Sequence, residues 1–172
     1  MKKPQVGILM GSDSDLEVMS EATKVLEELG ITWEISILST HRVPQETANY
    51  AKSAKVNGLL VLIAGAGGSA ALPGSLASLT ILPVIGVPIK SKSLDGLDSL
   101  LSIAQMPPGV PVATVGINAA KNAGILAAQI IAVADDRIAK NILKYKEKLK
   151  KEVLVKNIKL KKIGPQKYLK GK

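Results

Sequence analysis

The chain holds one histidine, His41, in the stretch Ser39-Thr40-His41-Arg42-Val43-Pro44. An imidazole can take and return a proton near neutral pH. The adjacent Arg42 carries a planar guanidinium suited to gripping phosphate or carboxylate oxygens in pairs. Together they offer an acid/base group beside an anion clamp. The same two residues also read more plainly, as a loop that caps a helix and faces solvent.

Two further stretches have unusual composition. Gly11-Ser12-Asp13-Ser14-Asp15 places a turn residue, two hydroxyls and two carboxylates ahead of a helical pattern. Ser12 or Ser14 can cap that helix, and its free N–H groups suit an anion. Asp13 and Asp15 suit sugar hydroxyls or a cationic base better than a phosphate. A simple N-cap with acids in the first turn accounts for the same residues. Residues 64–74, AGAGGSAALPG, are small enough for a ligand to approach the backbone closely. They match neither the dinucleotide fingerprint at a first strand nor a phosphate loop with its lysine.

Five apolar runs alternate with helical patterns, and these elements must position the three loops. The runs are 4–10, 31–38, 58–68, 82–89 and 109–117; the last is weakened by Pro111. Helices are expected over 15–30, 44–55, a short stretch after Pro73 and Gly74, 93–106 with one glycine interruption, 118–134 and 135–154. Continuous apolar strands between helices indicate a parallel sheet covered on both faces. The expected fold is an α/β three-layer α/β/α sandwich, with a flavodoxin-like five-stranded parallel sheet and a long C-terminal helix. Ligands bind such sheets beyond the carboxyl ends of the strands, where strand order reverses. All three unusual loops follow strands at that edge, so they should meet around one cleft.

Composition narrows the function classes. Aromatic residues are 2% of 172 and Phe is absent, which argues against base stacking on aromatic rings. With no Cys, disulfides, thiolate metal sites and cysteine nucleophiles are excluded, and a reducing cytoplasm is the simple compartment. The run Val6–Met10 stops at Gly11, so no secretory leader is expected, and no stretch is long enough for a membrane span. The net charge of +9 is unevenly placed. Residues 140–172 hold 13 Lys and two acids, whereas residues 1–139 have a net charge of −2. The division is therefore a catalytic domain over 1–154 and a basic, Lys-rich tail over 155–172. Such a tail reads as a solvated helix face with a frayed end. Nucleic-acid binding would rest on the tail alone.

The three loops, in this order and spacing, resemble the N5-carboxyaminoimidazole ribonucleotide mutase family of purine biosynthesis. GSDSD (11–15), STHRVP (39–44), AGAGGSAALPG (64–74), LPVIGVP (82–88), LDGLDSLLSIAQMPPGVPVATVGI (94–117) and NAGILAAQI (122–130) carry the likeness. The resemblance spans about residues 4–150. It implies octamers of flavodoxin-like subunits, with sites at subunit interfaces and C-terminal helices crossing between neighbours. It also implies a small-molecule ribonucleotide substrate and no metal or organic cofactor. By the resemblance, His41 is the acid/base residue. Ser12, Asp15 and Arg42 contact substrate, Asp15 at the ribose hydroxyls and Arg42 at the phosphate, while Ser39 and Gly67 line the site. The chain departs from the family at residue 71, where alanine replaces a second histidine. Either His41 suffices with water, or a side chain such as Ser69 or Lys90 substitutes, or the activity is altered. Two rivals stay open: a carboxylase using free CO2, and a nucleotide-binding paralogue without catalysis.

Overall fold

The computed structural model describes residues 3–170. Its five strands are β1 (Val6–Met10), β2 (Trp33–Ile37), β3 (Val61–Ala66), β4 (Val84–Pro88) and β5 (Ala113–Thr114). They form one sheet in the order β2-β1-β3-β4-β5, and every pairing is parallel. This is the flavodoxin-like α/β/α sandwich. Parallel pairing sends every strand's carboxyl end to one edge. The chain leaves β1 toward β2 and then crosses back to β3, so order reverses beside β1.

The helices are α1 (Leu16–Glu28), α2 (Pro44–Ser53), α3 (Leu72–Ala77), α4 (Leu97–Ala104), α5 (Ala120–Ala132) and α6 (Asp136–Lys170). One face of the sheet packs on α1, α5 and the start of α6 through Ile8, Ile63, Ile85, Val25, Leu26 and Ile138. The other packs on α2, α3 and α4 through Leu9, Leu62, Ala51, Leu76 and Ile103. With few aromatics available, close packing comes from small residues. A β-carbon on Gly124 of α5 would meet Val25 Cγ1 at 2.5 Å and the Ala22 carbonyl at 3.0 Å. Glycine at that point lets two helices approach at a distance alanine would forbid.

Four elements differ from the sequence reading, each for a local reason. The helix expected after Pro73 and Gly74 starts earlier, at Leu72, because Pro73 fits a helix's first turn. The helix expected over 93–106 begins only at Leu97, since Asp95 (φ 51°) and Gly96 (φ 94°) are left-handed and cannot continue a helix. β5 has two residues rather than nine; Pro111 lacks a donor, and pairing continues only as isolated bonds from Val115 N–H to Gly86 O and Asn118 N–H to Pro88 O.

The fourth is α6, expected to end at 154, which runs to Lys170 with a break at Gly164 (φ 74°). Its start caps the end of α1: Arg137 Nη1 donates to Gly30 O (3.0 Å) and Asn141 Nδ2 to Leu29 O (2.9 Å). Lys148 pairs with Glu28 at 2.6 Å. Residues 146–162 are then exposed throughout. The division between 154 and 155 therefore falls inside a continuous helix, and Gly171 and Lys172 of the basic tail lie outside the described residues. Among the described residues, no helix is long and apolar enough to cross a membrane.

Candidate active site

The loops after β1, β2 and β3 enclose one cleft of about 540 Å³, and the loop after β4 closes its far side. Each wall is set by how its strand ends. After β1, Gly11 turns the chain into a single 3₁₀ turn, Asp13–Asp15, that leads straight into α1. Ser12 caps that turn: its Oγ accepts from Ser14 N–H (3.3 Å) and donates to Asp13 Oδ1 (3.1 Å). Asp15 is buried at the cleft, with its N–H on Ser12 O (3.2 Å) and Ser14 Oγ donating to its Oδ1 (3.1 Å). Burial raises the Asp15 carboxyl above its ordinary pKa, and nearby Asp13 adds to the rise. The hydrogen bonds from Ser14 and Ser12 oppose both.

After β2, a tight turn carries His41. Arg42 N–H and Val43 N–H both donate to Ser39 O, at 3.1 and 2.8 Å, and Pro44 then opens α2. This stitching holds Ser39, Thr40, His41 and Arg42 along the cleft. His41 is exposed at the cleft. Arg42 Nη2 donates to Gly11 O at 2.6 Å, which ties the β2 loop to the β1 loop. Gly11, Ser12, Ser39 and Arg42 also line an adjoining groove of about 430 Å³ on the β2 side.

The third wall is nearly bare of side chains. Ala66, Gly67, Gly68, Ala70, Ala71 and Leu72 line it. Gly68 (φ 61°) and Ala70 (φ 43°) are both left-handed, and Ala70 N–H donates to Gly67 O at 3.1 Å. For Ala70 that conformation is strained, and such strain persists where the surroundings demand one loop shape. A β-carbon on Gly67 would meet Ile89 O at 3.6 Å and Ile89 Cβ at 3.7 Å, ordinary contacts that clash with nothing.

All six residues singled out from the sequence, Ser12, Asp15, Ser39, His41, Arg42 and Gly67, line the one cleft. Ala71 lines it too and contributes only a methyl group. Of the two side chains considered as substitutes for the expected second histidine, Lys90 lines the cleft; Ser69 is not among the lining residues. The β4 loop, with Ile89, Lys90 and Ser91, is the wall that sequence reasoning did not count. Strand order held the signal, since β4 adjoins β3, but Lys90 and Ser91 form no recognisable motif. Among the described residues, no three His, Asp or Glu side chains gather in a way that could hold a metal ion. The arrangement combines an imidazole, a guanidinium, a buried carboxylate and a wall of backbone and small apolar side chains.

The chain resembles known proteins along nearly its whole length. Residues 5–152 match the AIR carboxylase family. The chain is 59% identical to an N5-carboxyaminoimidazole ribonucleotide mutase of Thermotoga maritima, covering 98% of this chain and 99% of that protein. It is 51% identical to a phosphoribosylaminoimidazole carboxylase of Candida glabrata, over 100% of this chain but only 30% of that longer protein. Among solved structures, PurE of Treponema denticola superposes with a TM-score of 0.84 at 32% identity, covering 92% of this chain and 99% of that one.

Proposed function

The chain belongs to the AIR carboxylase family, and on that premise we propose that it catalyses the N5-carboxyaminoimidazole ribonucleotide mutase reaction of purine biosynthesis. It is an isomerase: the carboxyl group moves from the exocyclic nitrogen of the substrate to ring carbon 4. The observation that carries this reading is the near-complete mutual coverage with the Thermotoga mutase, joined to a cleft that gathers all six expected site residues. The Candida glabrata carboxylase matches at lower identity than the Thermotoga mutase, 51% against 59%, which favours the mutase.

The reaction breaks an N–CO2 bond and makes a C–CO2 bond. As CO2 leaves, the nitrogen gains a proton; after ring carbon 4 attacks CO2, that carbon loses one. His41 is the group that delivers and removes these protons, and one imidazole between the two atoms serves both steps. Arg42 holds the phosphate, with the hydroxyls of Ser12 and Ser39 beside it. Asp15 accepts hydrogen bonds from the ribose hydroxyls. Gly67 and its small neighbours let the base lie against the backbone and surround CO2 with apolar atoms, so that it is retained rather than lost to water.

The protein works as a homo-oligomer, an octamer by the family resemblance, in the cytoplasm. Support for assembly comes from α6, where Leu149, Val153, Leu154, Val155 and Ile158 are all exposed on a helix reaching beyond its own domain. A monomer leaves that apolar surface in water, and a neighbouring subunit would cover it. The decisive test supplies each substrate separately. Turnover of the carbamate-bearing ribonucleotide without added bicarbonate is expected. Turnover only of the unmodified ribonucleotide with CO2 would replace the mutase with a carboxylase.

A further inference from the structure

Of the cations that line the cleft, the reading above uses Arg42 and leaves Lys90 without a task. We propose that Lys90 binds the carboxyl group of the substrate and product, and that Asp95 holds its ammonium in place until they arrive. This inference rests on the mutase reading and assigns a residue that selects carboxylated ligands.

The first argument is position. Arg42 follows β2 and Lys90 follows β4, with β1 and β3 between them. Three strand spacings separate the two loops by roughly 14 Å. A ribonucleotide with a carboxylated base carries its phosphate at one end and its carboxylate at the other. With the phosphate at Arg42, the carboxylate points toward β3 and β4. The β3 wall has no charged side chain among its lining residues, and Ala71 contributes a methyl group alone. Lys90 is the cation on that side.

The second argument is preorganisation. Lys90 N–H donates to Asn118 Oδ1 at 2.9 Å, and Ser99 Oγ donates to the preceding carbonyl, Ile89 O, at 2.9 Å. Ser91 Oγ contacts both Asp98 carboxylate oxygens, at 2.9 and 3.0 Å. The peptide between Ile89 and Lys90 is thus held at both its polar groups, and Ser91 by its side chain, while the Lys90 side chain remains exchangeable. Lys90 Nζ lies 3.0 Å from Asp95 Oδ1, and that carboxylate is 86% exposed. A solvated pair of this kind contributes little to stability, so an arriving carboxylate can displace Asp95 at small cost. Lys90 meets the carboxylate in both substrate and product, so its loss should raise KM rather than lower kcat.

The test measures binding of 4-carboxy-5-aminoimidazole ribonucleotide and of the same ribonucleotide without its carboxylate, by calorimetry, alongside turnover. Lys90→Met should weaken the carboxylated ligand about ten- to fiftyfold and the uncarboxylated one less than about twofold, as expected for a lost charge-assisted hydrogen bond. Lys90→Arg should restore most of the difference. Asp95→Asn, which tolerates the left-handed backbone, should tighten the carboxylated ligand alone. Equal weakening of both ligands in Lys90→Met, or no weakening of either, would overturn the assignment of Lys90. Failure of the unmodified protein to bind either ribonucleotide would instead overturn the mutase reading on which it rests.

Discussion

The wall of the cleft that follows β1 and β2 presents hydroxyls, a carboxylate, an imidazole and a guanidinium, whereas the wall that follows β3 presents methyl groups and bare backbone. The first is tied together by side chains: Arg42 to Gly11, Ser14 to Asp15, Ser12 to Ser14. The second is held by backbone shape, with Gly68 and Ala70 left-handed. The difference teaches how labour is divided in a site that moves a small neutral molecule. On the proposed function, the charged and hydrogen-bonding groups after β1 and β2 fix the parts of the substrate that stay put. In the same reading, an apolar, shape-defined surface faces CO2 once it has detached, while Lys90 on the β4 side holds the carboxylate only in the bound substrate and product.

The largest effect should follow from removing the proton carrier on the polar wall. His41→Asn keeps a side chain of similar breadth but cannot cycle a proton, so turnover should fall about 10²- to 10⁴-fold. Binding of the product, measured by calorimetry, should change little. A variant that binds weakly but turns over normally at saturation would make His41 a binding group and erase the distinction between the walls. Arg42→Ala should come next. It removes the anion clamp and also the 2.6 Å tie to Gly11. KM should rise about ten- to a hundredfold for the lost charged hydrogen bonds. Inorganic phosphate should also lose its ability to compete with substrate.

The small wall is tested by filling it. Gly67→Ala adds a methyl whose nearest neighbour would be Ile89 O at 3.6 Å, an ordinary contact. Unfolding stability should therefore shift by less than about 0.5 kcal/mol. Substrate affinity should nevertheless fall about five- to tenfold, since the methyl occupies space meant for the base. Equal affinity in the variant would mean that the ligand does not approach this backbone. Gly68→Ala is the contrasting control: nothing lies within 4 Å of the added carbon, but the φ of 61° makes any β-carbon costly to the fold itself.

The same contrast explains which parts of the molecule could be read in advance. Continuous apolar runs such as residues 58–68 specify buried parallel strands, and a chain of alternating strands and helices leaves few topologies, so the sheet and the convergence of three loops were legible. His41 and Arg42 stood out because their chemistry is carried by residue type. Lys90 was named only as one possible substitute for the second histidine, since a lysine after a strand is common and only its place opposite Arg42 gives it a role of its own. Boundaries failed where tertiary context decided them: Asp95 is left-handed without being glycine, and α6 continues beyond Leu154 although none of residues 146–162 is buried in its own subunit. Helical propensity alone says nothing about what such a helix is for.

Asp15 sharpens the comparison with the smallest effect, because it tests whether the polar wall is built for the ligand at the expense of the fold. Its carboxyl is buried, and burial outweighs the hydrogen bonds from Ser14 and Ser12, so its pKa lies above the ordinary value of 3.8. A carboxyl raised on folding binds its proton more tightly in the folded state than in the unfolded one. Stability then falls as pH rises from the unfolded pKa through the folded one, and the full penalty is present at pH 7. Asp15→Asn removes the charge and keeps the shape. The variant without ligand should melt about 1 to 3 °C higher at pH 7, and the gain should vanish near pH 3, where the native carboxyl is protonated as well. Affinity for the ribonucleotide should drop at the same time, because an amide accepts hydroxyl hydrogen bonds less strongly than a carboxylate. A more stable protein that binds less well would mean that Asp15 is kept charged for its ligand. If the Asp15→Asn variant were instead less stable at pH 7, Asp15 would be a structural cap, and that part of the polar wall would serve the fold rather than the ligand.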